Sequence, residues 1–308
     1  VNKVCSSGLK AVMLAADAVR LGNSEAVIAG GFESMSQAPF VLPALRQGAR
    51  LGHANALDSI ITDGLWDPYN DFHMGNAGEL CAREFGLSRE DQDAFALESY
   101  DRALAAIESG AFSDEIVPVT IASKRGDAVV AEDEEPKALR RDKVPTLRPV
   151  FQKDGTVTAA NASSLNDGAS AMLVCSEAFL QTHRLTPLAR IVSQGSHAQA
   201  PEWFTTAPVT ALENALHRAD KQVADVDLFE INEAFSSVAL ACQQKLSVDP
   251  AKLNVHGGAV ALGHPIGASG ARILTTLLYA LKRRGGTVGA VGICNGGGEA
   301  TAMVVERV

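Results

Sequence analysis

Two stretches of the chain, one near each end, follow the same pattern of apolar and polar positions. Residues 9–21 are rich in alanine and lack glycine and proline, which predicts a buried helix, and residues 25–29 predict a strand closed by Gly30–Gly31. Residues 271–281 predict a second apolar helix, and residues 287–293 predict a strand that ends before a glycine triplet. The repeat predicts two similar α/β halves whose glycine-rich turns meet at one interface, where open α/β sheets hold ligands.

The middle of the chain differs from both ends, since it is more polar and carries most of the prolines. Within it, residues 88–103 have apolar positions at helical spacing behind Ser88 and Asp91, which resemble a capping box and predict a helix start. The acidic run 131–135 predicts a solvated loop. The predicted organisation is a partial N-terminal domain at 1–35, an inserted loop subdomain at 36–165, a return to the N-terminal domain at 166–186 and a C-terminal domain at 187–308.

Composition and charge argue against several classes of protein. The 308 residues are 46% hydrophobic and carry a formal net charge of −9, which favours a globular chain and argues against nucleic-acid binding. No apolar run approaches the roughly 18–20 residues that a membrane span needs. The cysteines are irregularly spaced without a CxxC pair, which argues against a disulfide framework or a metal site and favours a reducing, cytoplasmic compartment. They are Cys5, Cys81, Cys175, Cys242 and Cys294.

Cys5 lies between an apolar, strand-like lead at residues 1–4 and the start of the first predicted helix. Its sulfur should therefore lie at a helix N-terminus, where the backbone dipoles favour a thiolate. The alternative is that Cys5 is a small buried hydrophobic residue, and its position alone does not separate the two. Because a free thiol with a pKa of about 8.5 is only a few per cent ionised at pH 7, a reactive Cys5 also needs a base.

Other candidate side chains lie in glycine-rich turns or between elements. His264 lies in a glycine run just before a helix, where little side-chain bulk blocks a ligand, and this favours function over packing. Asn232 either caps the helix after it or points its amide into the interface between the halves. Cys294 precedes the glycines of residues 296–298, which form either a tight turn or a place where backbone N–H groups approach a reacting atom. His73, in the insert, is by itself more typical of a satisfied polar or surface histidine.

Seven motifs, in this order and at these separations, resemble the thiolase family and especially its acetyl-CoA acetyltransferase branch. They are VNKVCSSGLKAV, AGGFESMS, HMG, NASSLNDGASA, INEAF, GGAVALGHPIGASGAR and CNGGGEA. The resemblance implies the thiolase fold, an α/β fold of two similar βαβαβαββ-type halves with an inserted loop subdomain. Because the family's N-terminal domain begins well before its nucleophile, we expect the N-terminal part of the first half to be missing here. This would leave an incomplete first sheet and exposed apolar surface.

The resemblance implies a role for each catalytic candidate. Cys5 matches the nucleophile that takes the acyl group as a thioester, and His264 matches the base that activates it. Cys294 matches the second cysteine, which removes a proton from the α-carbon of the attacking acetyl-CoA or protonates the leaving carbanion. Asn232, through a water, matches one oxyanion site together with His264. The N–H groups of Cys5 and Gly296 match another, which would explain why glycines follow the second cysteine.

The resemblance also implies a substrate site. The family's pantetheine contacts correspond to Ser163 and His73, and the HMG motif favours the short-chain branch. Coenzyme A would be a substrate or product, with no bound cofactor and no metal, and the chain would form a homodimer or homotetramer. Gly78 departs from the family pattern and is expected to interrupt the helix that follows the HMG motif. The apolar neighbours of the substrate correspond to Leu65, Met74, Ala234 and Phe235.

The implied reaction is the reversible Claisen condensation of two acetyl-CoA molecules to acetoacetyl-CoA and coenzyme A by ping-pong catalysis on a cysteine. A degradative 3-ketoacyl-CoA thiolase for longer chains would share every catalytic residue and is the alternative. Ketoacyl-carrier-protein synthases pair one cysteine with two histidines, so Cys294 argues against them. A catalytically silent acyl-CoA-binding scaffold would not need two thiols with His264 and Asn232 in reactive-looking turns. The implied partners are acyl-CoA substrates, with no nucleic acid and no membrane.

Overall fold

Helices and strands alternate through both ends of the chain in a computed structural model that describes residues 1–124 and 126–308. The helices are α1 (Ser7–Arg20), α2 (Met74–Glu84), α3 (Arg89–Glu108), α4 (Glu135–Ala138), α5 (Glu177–His183), α6 (Ala207–Arg218), α7 (Ser236–Leu246), α8 (Ala259–Leu262) and α9 (Ile266–Arg284). The strands are β1 (Ala26–Ser34), β2 (Phe40–Val41), β3 (Leu57–Asp58), β4 (Trp66–Asp67), β5 (Phe72–His73), β6 (Val119–Ile121), β7 (Ala128–Val130), β8 (Asp167–Cys175), β9 (Ala189–Ala198), β10 (Leu228–Ile231), β11 (Val288–Asn295) and β12 (Glu299–Arg307).

The two ends of the chain are built on separate sheets of related design. In the C-terminal half the strands lie in the order β10, β11, β12, β9, with β10 and β11 parallel and the other neighbours antiparallel. In the N-terminal half β1 and β8 pair antiparallel along their whole length, although the insert separates them in sequence. In each half a long helix leads into the first strand of an antiparallel pair, α1 into β1 and α9 into β11. The repeat predicted from the hydrophobic pattern is therefore confirmed.

Helices α1 and α9 pack closely and join the two halves. A methyl group at Gly8 would lie 2.8 Å from the backbone nitrogen of Ala271, and one at Gly270 would lie 2.5 Å from the backbone nitrogen of Leu9. Real side chains do not fit at these separations, so both glycines are required for the helices to approach. The N-termini of the two helices, which follow the Cys5 and His264 turns, are brought together by this contact.

The prediction that Gly30–Gly31 closes the first strand is wrong, because β1 continues through both glycines to Ser34. A Cβ atom at Gly30 would lie 2.0 Å from the carbonyl oxygen of Ser170, and one at Gly31 would lie 2.0 Å from the carbonyl oxygen of Gly267. The glycines therefore serve the close approach of β8 and α9 to the strand, and they do not form a turn.

The strand-like lead before Cys5 is not a strand. Val4–Ser6 form one 3₁₀ turn that runs directly into α1, and Val4 has a φ of 48°, in the left-handed region. The side-chain oxygen of Asn2 accepts a hydrogen bond from the N–H group of Val4 at 3.0 Å and supports this turn. The candidate nucleophile thus lies on a sharp bend of the backbone, where its side chain is held between the two halves.

Two predictions for the insert are confirmed. Helix α3 begins with a capping box, in which the hydroxyl oxygen of Ser88 accepts from the N–H group of Asp91 at 3.0 Å and the Asp91 carboxylate accepts from the N–H group of Ser88 at 2.9 Å. Residues 131–134 of the acidic run are exposed, as expected for a solvated loop, whereas its last residue, Glu135, is partly buried and begins α4.

The expectation that Gly78 interrupts the helix after the HMG motif is wrong, because α2 runs through it without a break. A Cβ atom at Gly78 would lie 3.2 Å from the ring of Phe235. The glycine therefore lets α2 pack directly against this aromatic ring, and the gain in packing offsets the low helix propensity of glycine.

The outer face of the β1–β8 pair carries exposed apolar side chains. Ile28 and Phe32 of β1 are 79% and 83% exposed, and Leu173 of β8 is 48% exposed. Within residues 1–124 and 126–308 this sheet has two strands, against four in the C-terminal half. The exposed apolar surface expected from the resemblance is observed on this sheet. The domain boundaries given above remain predictions.

In the described part of the chain, no helix combines the length and the apolar character that crossing a membrane requires.

Candidate active site

Cys5 lies in the turn that leads into α1, and its side chain is buried. Burial raises the pKa of the Cys5 thiol to about 12, while hydrogen bonds from the N–H groups of Gly296 and of Cys5 itself act in the opposite direction. The negative charge of Glu33 raises this pKa further. Burial therefore outweighs the backbone donors that favour a thiolate, and the thiolate is not the resting form. Cys5 carries its proton and needs a base to become a nucleophile.

Cys294, near the end of β11, is also buried, and burial followed by the nearby Cys5 sulfur raises its pKa well above the ordinary value. Beyond it, Gly297 and Gly298 have φ values of 95° and 87° and form the turn into β12, a conformation that favours glycine. Gly296 differs from them, because its N–H group donates to the Cys5 sulfur. The two explanations given for the glycine triplet therefore apply to different residues. Gly296 brings a backbone N–H group to the Cys5 sulfur, and Gly297 and Gly298 form a tight turn.

His264 lies between α8 and α9, directly after Gly263, which has a φ of 90°. Its backbone N–H group donates to the carbonyl oxygen of Ser164 at 3.2 Å and to the side-chain oxygen of Asn166 at 3.1 Å. A Cβ atom at Gly263 would lie 2.2 Å from that same side-chain oxygen. The histidine backbone is therefore held by the loop that precedes β8. The Cys5 turn packs against the start of α9, which begins two residues after His264.

The hydrogen bonds of the His264 ring assign its tautomer. The hydroxyl group of Ser269 donates to the carbonyl oxygen of Pro265 at 2.9 Å and lies 2.5 Å from His264 Nδ1, so it accepts the Nδ1 proton. Nε2 then carries a lone pair, and the side-chain nitrogen of Asn232 lies 3.3 Å from it. Burial, followed by the positive charge of Arg272, lowers the pKa of His264 to about 3. The ring is neutral at physiological pH and offers Nε2 as a base.

Asn232 follows β10, and its backbone N–H group donates to the carbonyl oxygen of Gly292 at 3.1 Å. It does not cap the next helix, because α7 begins at Ser236 with Phe235 at the preceding cap position. Its amide instead faces His264, and within the described residues its side-chain oxygen is buried without a hydrogen-bond partner. Of the two roles open from the sequence, the structure supports the amide that points into the interface.

Most of the predicted substrate-binding residues gather beside this centre. A Cβ atom at Gly296 would lie 3.2 Å from the sulfur of Met74, which places Met74 against the backbone donor of the site. The ring of His73 stacks on Phe151 with the ring centroids 4.7 Å apart, and Phe151 meets the edge of Phe235 at 6.1 Å. Leu65, at the end of a π-helical turn, packs against two separate clusters of buried apolar side chains.

Ser163 and His73 supply polar groups to the same region. The hydroxyl and N–H groups of Ser163 donate to the carbonyl oxygen of Ala234 at 3.0 and 3.1 Å. His73 Nδ1 accepts from the N–H group of Gly75 at 3.0 Å, so its proton is on Nε2. Burial lowers the pKa of His73, and the neutral ring keeps a donor for a ligand.

Phe151 and Ser269 are site residues that the sequence interpretation missed. Phe151 comes 76 residues after Gly75, yet a Cβ atom at Gly75 would lie 2.2 Å from its ring. No local pattern connects positions so far apart. Ser269 could have been found, since it follows His264 by five residues and lies just before the predicted helix at 271–281.

Within residues 1–124 and 126–308, no group of three or more His, Cys, Asp and Glu side chains is placed to hold a metal ion, and all five cysteines are free thiols.

Comparison with known proteins identifies the family to which this arrangement belongs. The family described as "Thiolase, N-terminal domain" matches residues 1–178, and "Thiolase, C-terminal domain" matches residues 185–307. The chain belongs to the thiolase family. This confirms the resemblance drawn from the seven motifs, and it identifies the chain as an acyltransferase.

Individual thiolases match over the whole chain. An acetyl-CoA acetyltransferase from Schizosaccharomyces pombe is 50% identical over 100% of this chain and 78% of its own length, and acetyl-CoA acetyltransferase 2 from Arabidopsis thaliana is 52% identical over 99% and 77%. The crystal structure of the Bacillus anthracis acetyl-CoA acetyltransferase superposes with a TM-score of 0.97 at 43% identity, covering 100% of this chain and 78% of that one. A thiolase from Ascaris suum in complex with coenzyme A superposes with a TM-score of 0.94 at 44% identity, with the same coverage. These matches confirm the thiolase fold.

The buried histidines of this thiolase predict a pH effect on stability. Burial lowers the pKa of His256 to about 4 and that of His264 to about 3, whereas an unfolded histidine titrates near 6.5. Between these values the unfolded chain binds more protons, so each histidine destabilises the fold as pH falls below about 6.5. Glu115 and Glu230 have the opposite effect on stability. Burial raises their pKa values to about 7 and about 8, so the folded chain binds more protons than the unfolded chain and these groups stabilise the fold as pH falls.

The histidine contribution is isolated by comparing variants. The free energy of unfolding of His256→Gln, measured by denaturant titration at pH 6.5 and pH 4.5, is expected to fall less between the two pH values than that of the unchanged protein. His53→Gln, at an exposed position, should reproduce the unchanged protein. Equal losses for all three proteins would contradict the prediction.

Proposed function

We propose that the protein is an acetyl-CoA C-acetyltransferase, which condenses two acetyl-CoA molecules to acetoacetyl-CoA and coenzyme A and also catalyses the reverse thiolysis. The observation that carries the proposal has two parts. Two buried, protonated thiols, Cys5 and Cys294, lie close enough for one to raise the pKa of the other. The Cys5 turn packs against α9, the helix that follows a neutral imidazole in contact with the Asn232 amide. Relatives about 50% identical over the whole chain are named acetyl-CoA acetyltransferase, which supports the same activity.

In the first half-reaction, Nε2 of His264 takes the proton of Cys5, and the thiolate attacks the thioester carbonyl of acetyl-CoA. The tetrahedral oxyanion accepts hydrogen bonds from the N–H groups of Cys5 and Gly296. When it collapses, the bond to the coenzyme A sulfur breaks, and coenzyme A leaves with the proton held by His264. Because the resting imidazole is neutral and its Nδ1 proton is bound by Ser269, Nε2 can take and return one proton.

In the second half-reaction, Cys294 first passes its own proton to Nε2 of His264. The resulting thiolate removes a proton from the α-carbon of a second acetyl-CoA, and the enolate attacks the acetyl group on Cys5. The developing enolate oxygen accepts hydrogen bonds from a water held by Asn232 and from the protonated Nε2 of His264. The new C–C bond forms as the bond between the acetyl carbon and the Cys5 sulfur breaks, and this sulfur takes the proton back from Nε2 of His264. In thiolysis the same steps run in reverse, with Cys294 returning its proton to the leaving carbanion.

The substrate side of the proposal uses the residues beside this centre. Coenzyme A acts as substrate and product, with Ser163 and His73 as contacts for its pantetheine arm. The stacked rings of His73 and Phe151, the edge of Phe235 and the Met74 side chain form a packed apolar wall next to Gly296. Such a wall favours a short acyl group, because a longer chain would have to displace buried aromatic rings.

The test is the rate of coenzyme A-dependent thiolysis of acetoacetyl-CoA compared with that of a long-chain 3-ketoacyl-CoA, with Cys5→Ala as the blank. We expect a higher kcat/KM for acetoacetyl-CoA. A preference for the long chain would keep the mechanism but assign the protein to the degradative branch. Absence of thiolysis on both substrates would overturn the proposal in favour of a silent acyl-CoA-binding relative.

A further inference from the structure

Glu233 is a buried carboxylate next to the catalytic candidate Asn232, and the reaction steps above do not use it. It accepts three hydrogen bonds from three separate parts of the chain. The hydroxyl group of Ser99 in α3 donates at 2.8 Å, the side-chain nitrogen of Asn254 at 2.8 Å, and the backbone N–H group of Val260 in α8 at 3.1 Å. A carboxylate is the group that accepts all of these donors at once.

On the His264 side, Glu233 holds the loop that ends at the histidine. The N–H group of Gly258 donates to the Ser99 hydroxyl oxygen at 3.0 Å, so the Ser99 hydrogen is free to donate to Glu233. A Cβ atom at Gly258 would lie 2.2 Å from the Glu233 carboxyl carbon, which shows how closely the loop passes. The two N–H groups of residues 258 and 260 are thereby tied, directly or through Ser99, to one carboxylate.

On the Asn232 side, Glu233 is tied to the end of β10 through Asn254. The side chain of Asn254 accepts from the N–H group of Ile231 and donates to its carbonyl oxygen, both at 2.9 Å. Because both backbone groups of Ile231 are used, the Asn254 amide cannot flip, and its remaining hydrogen points to Glu233. Asn254 therefore fixes the position of Ile231, the residue immediately before Asn232, relative to the Glu233 carboxylate.

We propose that Glu233 is a positioning residue that holds the Asn232 amide and the His264 ring at their 3.3 Å separation, with Ser99 making α3 of the insert part of that support. This inference rests on the proposed function. Neither Glu233 nor Ser99 touches the reacting atoms. Their effect comes from orientation, since a displacement of about 1 Å at such a site costs on the order of 10²-fold in rate.

The experiment uses Ser99→Ala, because this change removes two hydrogen bonds of the support and leaves Cys5, Cys294, His264 and Asn232 unchanged. Two reactions are measured, the thiolysis of acetoacetyl-CoA and the exchange of labelled coenzyme A into acetyl-CoA. Both reactions need His264 as the base for acyl transfer at Cys5. Thiolysis also needs the enolate site that His264 forms with Asn232, which exchange does not use. We expect kcat for thiolysis to fall about 10- to 100-fold, with a smaller fall in exchange and little change in KM.

A purely structural role for Ser99 is tested by a matched control. Ser193→Ala also deletes a buried hydroxyl group, which donates to the carbonyl oxygen of Ala215 at 2.6 Å between β9 and α6. It is expected to lower the melting temperature about as much as Ser99→Ala does, without changing kcat for either reaction. If Ser99→Ala lowers both reactions equally, or neither, the proposal is overturned.

Glu233→Gln gives a graded second test. The amide of glutamine can face Asn254, which loses one hydrogen bond, or face Ser99 and Val260, which loses two, so no orientation keeps all three. We expect kcat for thiolysis to fall in Glu233→Gln and to fall further in Glu233→Ala. Exchange should again be less affected than thiolysis in both variants. Full activity of Glu233→Ala would overturn the proposal. If the unchanged protein showed no thiolysis activity, that result would instead contradict the proposed function.

Discussion

Replacing Cys5 with alanine is expected to lower both thiolysis and coenzyme A exchange by about 10⁴-fold or more, because every step passes through the acyl group on this sulfur. Removal of the nucleophile leaves the N–H groups of residues 5 and 296 in place, but they then have no tetrahedral intermediate to stabilise. The first measurement is the incorporation of a labelled acetyl group from acetyl-CoA into the protein. We expect stoichiometric labelling of the unchanged protein and none of the variant.

The matched control for this experiment is Cys175→Ala. Cys175 is a partly exposed thiol at the end of β8, and its loss should change neither labelling nor rate. If Cys5→Ala retained the acetyl label, another residue would be the nucleophile. Since burial raises the pKa of Cys5 to about 12, selective alkylation of the resting enzyme is not a substitute for this test.

Replacing Cys294 with alanine should separate the two half-reactions. Loss of the base for the α-carbon proton is expected to lower thiolysis and condensation by about 10²- to 10⁴-fold, which is the usual contribution of a general acid–base group. Exchange of labelled coenzyme A into acetyl-CoA should stay within a few-fold of the unchanged protein, since acylation of Cys5 requires no proton transfer at carbon. Measuring both reactions on the same preparation removes differences in the folded fraction.

The result for Cys294→Ala is informative in either direction. Cys294 is fully buried in the apolar core, so the alanine variant leaves a small cavity and some loss of melting temperature is expected. A parallel loss of exchange and thiolysis would place Cys294 in the acylation step or in the integrity of the site. That outcome would contradict the separate roles proposed for the two thiols.

The candidate side chains were recognisable in the sequence, Cys5 through the resemblance to the thiolases, and His264 and Cys294 also through their glycine-rich context. Cys5 and His264 each precede a helix at a glycine-containing turn, and Cys294 precedes three glycines. Such segments make poor packed cores, so a thiol or an imidazole there indicates chemistry. The main helices and strands of both halves were predictable because the spacing of apolar residues indicates which face of an element is buried.

Errors arose where a residue serves a contact distant in sequence. Gly30 and Gly31 were interpreted as a strand end, but they allow the passage of the Ser170 and Gly267 carbonyl groups. Asn232 could have capped a helix, and only the position of His264, 32 residues later, shows where its amide points. In each case the same local pattern fits two structures, and the choice depends on what packs against it.

Taken by itself, the sequence determined the repeated α/β design, the identity of the thiols, the imidazole and the amide, and the family that combines them. Only the tertiary structure showed which of these side chains carry a proton and which distant residues hold them in place. Burial keeps the proton on Cys5 and removes it from His264, although the local helix dipole favours the Cys5 thiolate. The hydrogen bond between Ser99 and Glu233 joins residues 134 positions apart. Desolvation and such long-range contacts depend on which surfaces meet, and no local pattern of residues contains that information.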